Sequence, residues 1–153
     1  MIKEKPMPRL TLSALLLLCA PLLASAGDWR VNEATRGNFA DTRDAVVTAI
    51  ENRGLVINAT SHIGDMLERT GNDLGKSQRL YEQAEILEFC SASLSRQMME
   101  SDPHDIVNCP FTIAIYTLAG NPQTTWVGYR KQSGKSAAAL ERMLSEIVAE
   151  ALH

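Results

Sequence analysis

The last third of the chain changes its apolar period once, and that change constrains the fold more than any other feature. The segments "FTIAIYTL" and "TTWVGYR", joined across "AGNPQ", carry an apolar run and a two-residue alternation, so they predict a hairpin. "SAAALERMLSEIVAEAL" instead repeats apolar residues at Leu140, Met143, Leu144, Ile147, Val148 and Ala151, the spacing of an amphipathic helix. Such a helix must bury its stripe against another element, and a strand pair with one apolar face offers it.

The preceding residues alternate between the same two patterns. "DWRVNEATRG" reads as a first strand, and "DTRDAVVTAIENRG" as a helix with Ala45, Val46, Ala49 and Ile50 on one stripe. Asp41 or Thr42 is expected to cap that helix, and Gly54 to stop it. "LVINATSHI" predicts a half-buried strand, with Leu55, Ile57, Ala59 and Ile63 on one face and Asn58, Thr60 and His62 on the other. "GDMLERTGNDLG" is expected to make one or two helical turns. "AEILEFC" reads as a strand, and "SASLSRQMMES" as a short helix capped by Ser91 or Ser93 and closed at Asp102-Pro103. Two long amphipathic helices with several alternating strands give an α+β class, with helices on one face of a mainly antiparallel sheet.

The N-terminus constrains where this fold forms. A basic start (Lys3, Lys5, Arg9), an apolar run from Leu10 to Leu23 and Ala24-Ser25-Ala26 make the three-part pattern of a secretory signal peptide. Cleavage is expected between Ala26 and Gly27; the alternative, an uncleaved membrane anchor, would need a longer apolar run. Cys19 lacks the small residue before it that lipid attachment usually requires. Removing residues 1–26 from the 153 leaves 127, one domain over 27–153 with a single core and no stable membrane anchor. The leader takes with it three of the 15 basic and one of the 18 acidic residues, leaving a formal net charge of −5. An acidic exported domain has no electrostatic footprint for phosphate backbones, which argues against nucleic acid as a partner. The expected location is periplasmic or secreted.

The segments "ILEFCSASLSRQMMESDP", "CPFTIAIYTL" and "WVGYRK", set between a Gly54-Leu55-Val56 strand start and a C-terminal helix, resemble the bacterial domain-of-unknown-function 302 family. Asp102-Pro103, Pro110 and Tyr116 fall where members carry an Asp-Pro or Asn-Pro loop, a proline-led apolar strand and its closing tyrosine. The chain departs from the common pattern at Ser91-Ala92 and in placing Cys109 before Pro110. The resemblance implies a fold like that of the TATA-binding protein, a curved antiparallel sheet with two long helices on one side. It implies no established activity.

Cysteine usage follows from export. Cys19 leaves with the leader, so the mature chain keeps Cys90 and Cys109, an even number in an oxidising compartment. If "AEILEFC" and "FTIAIYTL" are antiparallel neighbours, as the resemblance implies, both sulfurs lie at one end of the sheet; bridging needs Cα atoms within about 7 Å. Three uses stand open. A structural disulfide closing about 20 residues would stabilise the domain by roughly 3 kcal/mol. A redox pair would draw on Cys90's position before a helix N-terminus, which lowers a thiol pKa. A copper(I) site would combine Cys90 and Cys109 with Met98 and His104, ligands that suit a soft ion. Met98 and Met99 point about 100° apart on a helix, so at most one can face the sulfurs.

Other motifs fail on spacing. Gly75-Lys76-Ser77 and Gly134-Lys135-Ser136 match the tail of a phosphate-binding P-loop, but the preceding glycines stand three and five residues away where four are needed. Ser61-His62 with Asp65 and Glu68 lacks a GxSxG elbow, and CxxCH is absent. The sequon at Asn58 lies in an expected strand. If the helices cover one sheet face, the other is expected to present His62, Tyr116 and Trp126, a surface for a small ligand, a peptide or a second copy of the chain. The expectation is a non-catalytic binding or accessory module with no resident cofactor, the alternative being thiol-redox or copper(I) handling.

Overall fold

The computed structural model describes residues 28–76, 78–134 and 136–153. The expected leader, residues 1–26, lies outside them. The element order is β1 (Arg30–Thr35), α1 (Phe39–Glu51), β2 (Val56–Ser61), α2 (Ile63–Asp73), β3 (Tyr81–Cys90), α3 (Ala92–Ser101), a 3₁₀ segment (Pro103–Asn108), β4 (Phe111–Leu118), β5 (Asn121–Arg130) and α4 (Ala137–Leu152).

The five strands form one sheet in the order β1-β5-β4-β3-β2, and every neighbouring pair is antiparallel. Leu87 and Phe89 of β3, Phe111, Ile113 and Ile115 of β4 and Val127 of β5 point to one side. There they meet Val46 and Ile50 of α1 and Leu140, Leu144, Ile147 and Val148 of α4, all essentially inaccessible to water. The two long helices also pack against each other. The expected α+β class, with two long helices on one face of a curved antiparallel sheet, is what the chain adopts. Polar groups drawn into this layer are satisfied: the fully buried Thr125 donates its hydroxyl to the Gly37 carbonyl at 2.8 Å, and Gln83 N donates to Thr117 Oγ1 at 3.1 Å.

Local details differ from the sequence expectations where tertiary contacts compete. Helix α1 is capped by Asn38, whose side chain accepts from Asp41 N at 2.9 Å; Thr42, an expected cap, is buried instead. Gly54 does take the left-handed conformation, at φ +68°. The alternation of "LVINATSHI" is interrupted by a register shift between Ile57 and Ala59, and Ile63 leaves the strand to open α2. That helix runs 11 residues instead of one or two turns, since packing on β3 carries it through Gly71. The β4–β5 turn is only Ala119-Gly120, because Asn121 already pairs with Leu118.

Candidate functional site

Alternation along the strands places the other half of their side chains on the side away from α1 and α4. Cross-strand register orders them into rows. One row holds Ala84, Tyr116, Trp126 and Ala34; the next holds Ser61, Ile86, Ala114, Gly128 and Asn32. Two residues further along the strands come Glu88 and Thr112, which pair, and Arg130 and Arg30, which pair. The face therefore grades from aromatic, through a floor of small residues, to charged.

Its concavity comes from what the floor lacks. A Cβ on Gly128 would stand 2.8 Å from Val31 O and clash with the Asn32 side chain, so only glycine allows that close approach. Ala114 beside it adds one methyl group. Two contiguous hollows of about 540 and 520 Å³ open here and share Arg30, Asn32, Ile63, Ile86 and Ala114. Helix α2 walls the β3 side, where Gly64 lies so near that an added Cβ would be 3.0 Å from Ala84 N. Helix α2 thus edges this face without filling it.

Tyr116 and Trp126 stack across β4 and β5 with centroids 6.4 Å apart and planes 11° from parallel. Tyr81 meets Tyr116 edge-on at 5.7 Å. Burial pushes the Tyr116 hydroxyl up, and Tyr81 adds to this, while the Arg30 guanidinium opposes it. Trp126 Nε1 is buried without a hydrogen-bond partner among the described residues. Asn32, with its amide turned to suit both neighbours, donates to Val31 O at 3.0 Å and accepts from Arg30 Nε at 3.1 Å.

His62 is the one residue of the expected ligand face that does not line either hollow. It precedes α2 and stands exposed, with Nδ1 3.4 Å from Glu85 Oε1. The alternation that assigned it to a strand face ended one residue too early. Arg30, Asn32, Ala114, Gly128 and Arg130 were missed as site residues. The pattern Trp126-x-Gly128-x-Arg130 placed three residues on one face, but only the pairing with β1 gave that face its arginine pair.

Cys90 ends β3 and Cys109 precedes β4, and the Phe89–Phe111 pairing brings both to the same end of the sheet. Both are free thiols in this structure, so the expected staple is not formed here. Burial pushes the Cys90 thiol up, and the neighbouring Cys109 adds to this; the Phe111 N–H pulls the other way. Ser95 Oγ lies 3.4 Å from Cys109 Sγ. The other residues set down as copper ligands do not join them. Met98 is buried in the core beside α1 and α4, and His104 opens the 3₁₀ segment, its backbone N donating to Asp102 Oδ1 at 2.9 Å. Among the described residues no three His, Cys, Asp or Glu side chains gather into a metal-holding group.

The sequence pattern of the family described as "Domain of unknown function DUF302" matches residues 31–153. The chain belongs to that family. The crystal structure of an uncharacterized conserved protein DUF302 from Bacillus stearothermophilus is similar, with a TM-score of 0.67 at 14% sequence identity. The match covers 81% of this chain and 98% of that one, a likeness of fold. No curated protein matches the chain. Family membership and this likeness account for the sheet and its two covering helices.

Proposed function

We propose that the protein is an exported, non-catalytic binding module that takes a small ligand on the concave sheet face. The observation that carries this reading is the stacked Tyr116–Trp126 pair beside a floor kept low by Ala114 and Gly128. A small-ligand site is concave and mostly apolar, with a few polar groups at its margin, and this face has that composition. In an oxidising compartment Cys90 and Cys109 join as a disulfide that ties the end of β3 to the start of β4. The N-terminal basic, apolar and small-residue pattern supports export.

The test uses the neutral fluorophore N-phenyl-1-naphthylamine, whose emission rises on leaving water, with Trp126 as the internal reporter. Ala114→Phe fills the hollow with a side chain that points away from the core. It is expected to remove probe binding while leaving the thermal unfolding midpoint within a few degrees. Equal binding by wild type and Ala114→Phe would refute the assignment of the face. Intact mass of protein from its native compartment checks the rest: loss of residues 1–26 and a two-proton deficit are expected.

A second reading, thiol-redox or copper(I) handling by Cys90 and Cys109, draws support from the proximity of the two sulfurs and from Ser95 beside them. Competition for copper(I) against a chromogenic chelator after reduction distinguishes it. Retention of one ion per chain, lost in Cys90→Ser, would favour that reading.

A further inference from the structure

Arg30 and Arg130 sit directly opposite each other on β1 and β5, and both line the hollow of about 520 Å³. Like charges in that position repel, and a protein gains nothing from the pair by folding alone. The nearest carboxylates do not relieve it. Glu88 accepts from Ser61 Oγ at 3.0 Å, and Glu85 is held by Arg43 Nε at 3.3 Å and faced by His62. Arg30 Nε is 3.9 Å from Asp28 and its ring-side neighbour is Trp29, 5.5 Å to the centroid. Among the described residues the terminal nitrogens of Arg30 have no acceptor, and Arg130 has no ion-pair partner.

We propose that the concave face binds a small hydrophobic monocarboxylate. Its apolar or aromatic body lies over Ala114 and Gly128 beside Tyr116 and Trp126, and its carboxylate sits between Arg30 and Arg130. The inference rests on the binding role given to this face above and adds the ligand class. Arginine's planar fork matches a carboxylate, and Asn32 presents the Arg30 fork by accepting from its Nε. The distance is set by the strands: from Gly128 to Arg130 is two residues, about 7 Å, so ring and carboxylate are separated by a chain of a few carbons. A single negative charge follows from the surroundings. Residues 27–153 carry a formal net charge of −5, Glu88 borders the hollow that holds the arginine pair and Glu85 borders the adjoining one, so a second negative charge on the ligand would meet repulsion.

The experiment is calorimetric titration with three probes of one shape, 4-phenylbutyrate, 4-phenylbutan-1-ol and 4-phenylbutylamine, at low and at high salt. The acid is expected to bind about 10-fold or more tighter than the alcohol, since it adds charge-assisted hydrogen bonds at a half-exposed site. That advantage should shrink in high salt. Arg30→Met with Arg130→Met should bring the acid down to the alcohol's affinity and leave the alcohol's unchanged, which a merely unfolded variant would not do. Equal affinity of acid and alcohol, or strongest binding by the amine, overturns the carboxylate assignment and leaves the binding face standing. Failure of all three probes overturns both. Binding that persists in Ala114→Phe places the ligand elsewhere and overturns both as well.

Discussion

Oxidation of the two thiols should change stability by an amount the topology fixes. Cys90 and Cys109 close a loop of 20 residues, and α3, the 3₁₀ segment and the residues between them lie inside it. In the chain-entropy account, cross-linking removes about 11 cal/mol/K from the unfolded ensemble for such a loop, or roughly 3 kcal/mol at 25 °C. For a domain of this size that raises the midpoint of thermal unfolding by about 10 °C. The native state has little to lose, since antiparallel pairing of β3 with β4 already brings the cysteines together. The assay is a pair of thermal melts, one after mild oxidation with quantitative loss of free thiol, one with a phosphine reductant, and the same pair on Cys90→Ser/Cys109→Ser. The reductant should lower the wild-type midpoint and leave the double variant unmoved. Loss of free thiol accompanied by an equal or lower midpoint would refute the reasoning, because the native state would then be strained by the bond. The reduced protein carries its own signature. Burial, with Cys109 adding to it, raises the Cys90 thiol above its ordinary value of 9.0, so its contribution to stability is complete below pH 9 and is lost as pH rises through the folded value. Alkylation at neutral pH should accordingly be slower at Cys90 than in the urea-unfolded chain.

Gly128→Ala should destabilise the fold by about 1–3 kcal/mol in urea titrations, because its Cβ meets Val31 O on the neighbouring strand; wild-type stability would show that β1 can move aside. Leu87→Ala, a truncation at a fully buried position beneath the helices, should cost about 2–5 kcal/mol in the same assay, and a loss below 1 kcal/mol would argue that the helices do not pack there as described. Glu150 joins α4 to the end of α1 through Asn52 Nδ2, at 2.9 Å, and the Arg53 guanidinium. Those partners hold its carboxyl below the ordinary 4.5, so its contribution is present above that pH and lost as pH falls through the folded value. Glu150→Gln should therefore flatten part of the acid limb of a stability profile, and an unchanged limb would count against the contact.

The sequence by itself determined which layer each long element belongs to. The 3.6-residue spacing of Leu140, Leu144, Ile147 and Val148 and the alternation through Phe111, Ile113 and Ile115 each mark an apolar face, and burying those faces against each other leaves few arrangements. The expected Ser91 cap of α3 holds, but the cap of α1, the turn length and the end of β2 escaped it, since a cap or a bulge is chosen among several competent residues by contacts that periodicity does not encode. Asn38 caps α1 in place of Asp41 or Thr42, the latter being buried, and His62 fell outside the hollow because β2 ends at Ser61, one residue before it. Tyr116 and Trp126 were legible as members of one face, because parity along a strand is local. Their stacking, the meeting of Arg30 with Arg130 and the notch at Gly128 were decided only by tertiary structure. Strand order and register bring together residues about 100 positions apart, and nothing in the spacing along the chain records which strand lies beside which.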